Sequence, residues 1–567
     1  MTTRESARMN IPVIAVFRTV RQAYCNHPIN EVTAMKNSFI NLVREPDSVL
    51  FQYDYSTIRF EEPDSREEQT AKVTFAVVQN ALRVTVYPSA KPVKRVKLRW
   101  RGDLSDILTV YGDDYARLMR DVPWNGLHPR LQMPWYFHAY DGERLTSYGV
   151  KTGPNAFCFF QCDDHGITMW IDMRNGGKAA VLREPLDVCD VVCDAGEKGE
   201  NPFRSAEKFC RMMCTDPVLL DKPVFGVNNW YWAYGHISHD LIMTETDQLM
   251  DMCRDAVEMP YMILDDGWQL NRYMAKGGSY NGGPWDQPNA NFRSMAETAA
   301  AIHAKGAHAG IWFRPLLTCT PVPEEATSPA VYKGSGFLLD PTHPFTLEKA
   351  ASDTAMIRSW GYDLLKHDFT TYDTLNVAPN PDGDWHFYDN SVTNCQMLKR
   401  LYRTIQDSAG GAVIIGCNTI NHLVAGIHAV QRSGHDTSGR HFELTRANGV
   451  KSMIRQPQNR TFFHVDPDCA AFTASVDHGL NLDFLDMAAI TGVVTLASVT
   501  PGCLTPDEMK RIRSIYKIAS EGGRGAIPEK WVGQNAPSHF VTEDGEKFAY
   551  DWYRIYDGVR TFYSWLK

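Results

Sequence analysis

The residues of this chain best placed to do chemistry are aspartates at the ends of short apolar runs. Asp265 and Asp266 close YMILDDGW, Asp368 closes YDLLKHDF, Asp436 closes HAVQRSGHD, and Asp466 and Asp468 close RTFFHVDPD. One carboxylate at a strand end is ordinarily a turn or helix cap. Several strands ending this way imply more, because acids gathered at one mouth repel each other unless a polar or cationic ligand, or a fixed cation, sits among them. Lys366 lies two residues before Asp368, so on an extended strand both side chains leave the same face, and the ammonium is expected to hold that carboxylate ionised. Arg432, four residues before Asp436, could reach a hydroxyl or a neighbouring acid with its guanidinium fork. Trp230 and Trp232 end VFGVNNWYW, Trp268 follows the paired aspartates, and Trp312 sits in AHAGIWFRP. Indoles beside carboxylates suit a sugar, its apolar face on the rings and its hydroxyls on the acids. Two carboxylates flanking a glycosidic bond cleave it with retention when about 5 to 5.5 Å apart, and with inversion at about 6.5 to 9.5 Å.

These residues need elements that bring them to one place. From Val224 onward short apolar runs alternate with helical stretches, and the eight strand candidates VFGVNNWYW, YMILDDGW, AHAGIWFRP, YDLLKHDF, AVIIGCN, HAVQRSGHD, RTFFHVDPD and VVTLASV have the rhythm of a (β/α)8 TIM barrel. In that fold catalytic groups come from the C-terminal ends of the strands, where the aspartates stand. A doubly wound sheet ranks second, since no G-x-G-x-x-G turn follows an early strand. From about residue 10 to 200, β-branched and aromatic runs such as AKVTFAVVQ and FCFFQC predict an N-terminal β-sandwich. The expected multi-domain plan is therefore a sandwich over 1–215, a barrel over 222–505 and a small C-terminal β element over 506–567, the last including PDEMKRIRSIYKIAS and strands such as SHFVTED and VRTFYSWL.

Composition excludes several partners. The 567 residues carry 58 Lys and Arg against 67 Asp and Glu, a net charge of −9, with no basic run to track a phosphate backbone, so no nucleic acid is expected. No stretch approaches the roughly 18 to 20 apolar residues of a membrane span. The N-terminus lacks an uninterrupted apolar core, and the 13 cysteines are odd in number and scattered, which predicts reduced thiols and a cytoplasmic location. Cys158/Cys162 and Cys189/Cys193 lie in strand-like runs, about 13 Å apart at i, i+4, too far to share one zinc. His422, His428, His435 and His441 match no HExxH spacing, so neither metal nor cofactor is expected.

VFGVNNWYW, ILDDGWQ, GIWFRP, LLKHDF, RSGHD and HVDPD, in that order, resemble the clan of glycoside hydrolase families 27 and 36, the α-galactosidases and α-N-acetylgalactosaminidases. The match is closest to family 36, and DDGWQ is also similar to its raffinose-synthase branch. The resemblance implies a retaining, exo-acting α-galactosidase with Asp368 as nucleophile and Asp436 as general acid/base, the pKa of Asp436 raised and that of Asp368 kept low. It implies that Asp265 and Asp266 grip the C4 and C6 hydroxyls. Lys366, Arg432 and Asp468 would contact substrate, and Trp230 and Trp312 would face the sugar. At the loop that meets the C2 substituent this chain reads GCNTINH: Cys417 is in register, and Asn418 could pair with a hydroxyl or an N-acetyl group. An α-N-acetylgalactosaminidase, a raffinose-synthase-like transglycosylase and, from another class, a non-catalytic sugar-binding barrel are the alternatives. The resemblance also implies an α-linked galactoside or N-acetylgalactosaminide as partner and a homo-oligomer.

Overall fold

Apolar runs separated by helical stretches are too far apart in the chain for hairpins, so they pair in parallel with each return made by a helix. The computed structural model describes residues 39–54, 71–117, 124–270, 280–329, 334–375 and 383–554. Nine of its strands form one parallel sheet: β1 (Phe225–Asn228), β2 (Tyr261–Leu264), β3 (His308–Phe313), β4 (Leu364–His367), β5 (Val413–Gly416), β6 (Val430–Arg432), β7 (His464–Asp466), β8 (Cys469–Phe472) and β9 (Thr495–Val499). Their order in the sheet is β7-β6-β5-β4-β3-β2-β1-β9-β8. The two edge strands, β7 and β8, are joined only by Pro467 and Asp468, so the chain itself ties one edge of the sheet to the other. The sheet is TIM-like, with its seventh position broken in two. The break falls at Asp468, whose φ of 78° lies in the left-handed region that non-glycine residues seldom adopt.

Helices return the chain between strands. α1 (His239–Met252), α2 (Met295–Ala304), α3 (Pro344–Ser359) and α4 (Asn394–Ser408) follow β1 to β4 in turn. A short α5 (Asn421–Val424) follows β5, helical turns over 442–458 follow β6, α6 (His478–Thr491) follows β8, and α7 (Pro506–Ser520) follows β9. Local sequence starts them where they start. Thr393 and Thr505 each accept the backbone N–H three residues on, while Gln396 and Glu508 reach back to the cap N–H. One boundary needs correcting: α7 was expected with the C-terminal element, but it packs on the barrel against α6 and α1. Its Tyr516 hydroxyl donates to the Gly226 carbonyl of β1 at 2.6 Å, and Arg513 pairs with Asp251 of α1 at 2.7 Å. Three short strands, Ile527–Pro528, His539–Val541 and Lys547–Ala549, then form a small antiparallel sheet. The expected strand VRTFYSWL and the β-like segment before residue 39 lie outside the described residues.

Ahead of the barrel are two antiparallel sheets. In spatial order one holds Ser48–Tyr53, Val93–Arg101, Gly166–Asp172, Phe157–Asp163 and Met133–Pro134. The other holds Val73–Val78, Ala81–Val86, Leu186–Asp194, Leu145–Val150, Tyr136–Tyr140, Thr109–Gly112 and Trp124–Asn125. Phe137 of the second sheet and Phe160 of the first meet with ring centroids 5.6 Å apart. The cysteine pairs 158/162 and 189/193 each lie along a single extended strand. No helix among the described residues is long and apolar enough to cross a membrane.

A buried ion pair fastens these sheets to the barrel. Asp113, just past Thr109–Gly112, accepts from Arg455 Nε at 2.6 Å and from Gln458 Nε2 at 2.9 Å, and Arg455 Nη1 donates to the Ser433 carbonyl at 2.6 Å. Both charged side chains are buried. Removing one partner strands the other charge away from water. Asp113→Ala should therefore lower the unfolding free energy by about 3–5 kcal/mol, whereas Lys198→Ala, which breaks an exposed pair with Glu143, should cost under about 1 kcal/mol. Urea unfolding of the two variants checks this.

Candidate active site

The C-terminal ends of the parallel strands enclose a cavity of about 80 Å³, several times the space one water needs. Of the residues expected from sequence, Trp230, Asp265, Asp266, Trp312, Lys366, Asp368, Cys417 and Asp436 line it. They come from the ends of β1 through β6, as a barrel requires. Arg117, Tyr231, Asn281 and Phe369 also line it and were not expected. Tyr231 stands inside NNWYW and shared the signal of its neighbours. Arg117 lies in the β-rich N-terminal region, 319 residues from its partner, with nothing local to mark it.

Each carboxylate in the cavity has its own donors. Asp265 Oδ2 accepts from Lys366 Nζ at 2.6 Å and from Asn228 Nδ2 at 2.7 Å, and its Oδ1 accepts the Asp266 backbone N–H. Asp266 Oδ1 accepts from Gln269 Nε2 at 2.7 Å. Gly267 follows at φ 127°, where a Cβ would come within 2.4 Å of the Gly235 carbonyl oxygen, so the DDGW turn needs glycine there. Asp368 Oδ2 accepts the Trp312 indole N–H at 3.0 Å, and Oδ1 accepts the Phe369 backbone N–H at 2.7 Å. Phe369 holds φ 65° beneath the stacked Arg314 guanidinium, 4.2 Å from its ring centroid.

This corrects the role expected of Lys366: its ammonium bonds Asp265, and two N–H donors hold Asp368 instead. Strand register supplies the reason. Leu264 pairs with Ile311, and Trp312 pairs with Lys366, so Asp265, Trp312 and Lys366 stand at one height of the barrel wall. Asp368 is two residues further up, beyond the end of β4.

Asp436 departs from expectation more sharply. Its Oδ1 lies 2.7 Å from Arg117 Nη1 and 3.2 Å from Arg432 Nη2, and its side chain is 56% exposed. The partial desolvation of the carboxyl works to raise its pKa, but the Arg117 and Arg432 guanidiniums and the Lys366 ammonium outweigh it and hold the group well below the usual carboxylate range. A raised pKa was expected of Asp436; the cations beside it keep the carboxyl ionised instead.

Three further expected contacts lie behind the cavity wall. Arg432 is buried, with Nη2 donating to Asp468 at 2.8 Å and Nη1 to the Cys417 Sγ at 3.5 Å. Asp468 also accepts from the Tyr231 hydroxyl and from the Thr437 backbone N–H at 2.8 Å, so it braces the loop that carries Asp436. Asn418 Oδ1 accepts the Tyr372 backbone N–H at 2.9 Å, which ties it to the neighbouring loop; Cys417 is the residue of this pair that faces the cavity. Burial pushes the Cys417 thiol far up, so it stays protonated. Glu245 of α1 is a buried acid missed by sequence reasoning: burial drives its pKa up to about 8, against the Trp232 and Asn229 donors that favour the charged form. Asn229 in turn accepts the Asp265 backbone N–H at 2.9 Å. Among the described residues no group of three or more His, Cys, Asp or Glu is arranged to hold a metal ion.

The Lys366 pairing can be measured directly. A double-mutant cycle of Lys366→Met with Asp265→Asn should give a coupling of about 2–3 kcal/mol in unfolding free energy. The cycle of Lys366→Met with Asp368→Asn should give under about 0.5 kcal/mol.

No family model matches the chain, and no curated protein sequence matches it. Solved structures do. The α-galactosidase TtGalA from Thermus thermophilus, in complex with p-nitrophenyl α-D-galactopyranoside, superposes with a TM-score of 0.56 at 17% identity, over 85% of this chain and 96% of that one. The same enzyme in complex with stachyose gives 0.53 at 16% identity, over 78% and 99%. The GH36 α-galactosidase AgaA from Geobacillus stearothermophilus gives 0.57 at 10% identity, over 88% and 79%. At these identities it is the architecture that is common to them: this chain has the multi-domain fold of the family 36 α-galactosidases, with a TIM-like barrel whose strand ends carry the site.

Proposed function

We propose that this chain is a retaining, exo-acting α-galactosidase in which Asp368 is the nucleophile and Asp436 the general acid/base. The observation that carries the reading is the cavity itself, where Asp265, Asp266, Asp368 and Asp436 converge with Trp230 and Trp312 at the strand ends of a barrel of that fold. In this reading the cavity seats one terminal sugar residue. Trp230 and Trp312 offer it apolar surface, and Asp265 and Asp266 offer acceptors to its hydroxyls. Asp368, oriented by the Trp312 and Phe369 N–H donors, attacks the anomeric carbon while protonated Asp436 gives its proton to the leaving oxygen; Asp436 then takes a proton from the water that releases the sugar. In the same reading the two N-terminal sheets are the family's β-sandwich, ahead of a barrel that begins near residue 222 and runs through α7.

Galactose is favoured over N-acetylgalactosamine because the Asn418 side chain is turned to the Tyr372 backbone N–H and does not line the cavity, where Cys417, without an amide, stands instead. The rate on p-nitrophenyl α-galactoside should exceed that on the N-acetylgalactosaminide by about tenfold or more, the scale of an acetamide left without partners. Equal rates would remove the galactoside preference. The two aspartates are separated by azide rescue with an activated α-galactoside. Asp368→Gly should lose on the order of 10⁴-fold or more in kcat and yield β-galactosyl azide. Asp436→Gly should yield α-galactosyl azide. Exchange of the two products would reverse the assignment.

A further inference from the structure

Among the described residues, Arg117 is the one charged group of the cavity wall that comes from the N-terminal region, just past the strand Thr109–Gly112, and not from the barrel. Its Nη1 lies 2.7 Å from Asp436 Oδ1, and its side chain is only 14% exposed. The segment that delivers it is fixed just ahead of Arg117. Thr109–Gly112 is held in its sheet, Asp113 is clamped by Arg455 and Gln458, and Arg455 also binds the carbonyl of Ser433, three residues before Asp436. One buried cluster therefore sets both the height of Arg117 and the course of the loop that carries its partner.

We propose that Arg117 is a positioning residue for Asp436, supplied to the barrel by the N-terminal sheets, which holds the carboxylate charged and aimed at the cavity and must give it up before Asp436 can donate a proton. The proposal rests on the α-galactosidase reading for the identity of that proton's acceptor. The other groups that face Asp436 do not duplicate the role. Arg432 is shared with Asp468, which it meets at the shorter distance of 2.8 Å against 3.2 Å. Lys366 is committed to Asp265. His435, beside Asp436 in sequence, is kept neutral at pH 7: burial, with Arg117 next in effect, lowers its pKa to about 4. The Tyr231 hydroxyl is spent on Asp468, and Asn448 Nδ2 binds the Asp436 backbone carbonyl at 2.6 Å, not its carboxylate. Protonating Asp436 leaves Arg432 its full carboxylate partner Asp468 and takes from Arg117 the one carboxylate it pairs with among the described residues, so Arg117 governs how readily the acid form arises.

The sign follows directly. An adjacent cation favours the carboxylate, so removing it raises the pKa of Asp436. The test is a 13C titration of the full-length protein labelled at aspartate carboxyls, with the Asp436 signal assigned by its loss in Asp436→Asn. Arg117→Gln, which keeps a donor but no charge, should move the Asp436 midpoint up by about one pH unit or more, while Arg117→Lys should bring it back toward the wild-type position. An unmoved midpoint in Arg117→Gln would overturn the proposal, as would equal shifts in Gln and Lys. A second readout separates the role from a structural one: the pH dependence of kcat/KM for an α-galactosyl disaccharide should change in Arg117→Gln, while that for p-nitrophenyl α-galactoside, whose leaving group departs without a proton, should not. The titration decides the pairing whether or not a galactoside is turned over, so a failed activity assay would count against the proposed function and not against Arg117.

Discussion

The site is organised by repulsion. Asp265, Asp266, Asp368 and Asp436 share one small cavity, with Asp466 and Asp468 just behind, and like charges at such range cannot all stay ionised without a donor for each. The surrounding architecture supplies those donors one at a time. Lys366 and Asn228 serve Asp265, Gln269 serves Asp266, an indole and a backbone N–H serve Asp368, and two arginines serve Asp436. Asp466 is the group left with least: burial pushes its pKa up to about 6, despite the counterweight of Arg432. Backbone strain appears at the same places, at Phe369 beside Asp368 and at Asp468 in the break of the seventh strand, where the chain bends to present an N–H or a carboxylate.

These pairings separate two kinds of work. Among the described residues Asp368 is held by neutral N–H groups, which fix its orientation, as the nucleophile's role proposed for it requires. Asp436 is held by full cations on a half-exposed side chain, a hold that an incoming ligand can loosen. Lys366 and Arg432, the obvious cations, are given mainly to Asp265 and Asp468, which shape the cavity and brace its loops. The cavity thus depends on a wall of the molecule outside the barrel, joined to it by the Asp113–Arg455 pair.

Much of this was legible in the sequence, and what was not has a physical cause. Period and spacing placed eight strand ends, and with them Asp265, Asp266, Asp368 and Asp436 at one mouth, because side chains at the ends of parallel strands must converge when the sheet closes. The partner of Lys366 was misread because parity along one strand says which face a side chain leaves, whereas its partner is set by register across two strands. The contact Asn418 makes with Tyr372 was hidden for a similar reason: a loop amide can serve the backbone of the next loop as readily as a ligand. Arg117 carries no local signal, since its meeting with Asp436 depends on how the sheets seat against the barrel. Sequence placed α7 with the C-terminal element and not against α6 and α1, because an amphipathic helix does not announce which of two cores it covers.

Of the four cavity carboxylates, Asp368, held by neutral donors, is the one proposed to bond to the sugar. Covalent trapping with a galactose-configured cyclophellitol epoxide, followed by proteolysis and mass spectrometry of the labelled peptide, tests this. One label is expected, on Asp368, formed in the wild type and absent from Asp368→Asn. A label on Asp436 or on another residue, or no label under conditions where an α-galactoside is hydrolysed, would contradict it.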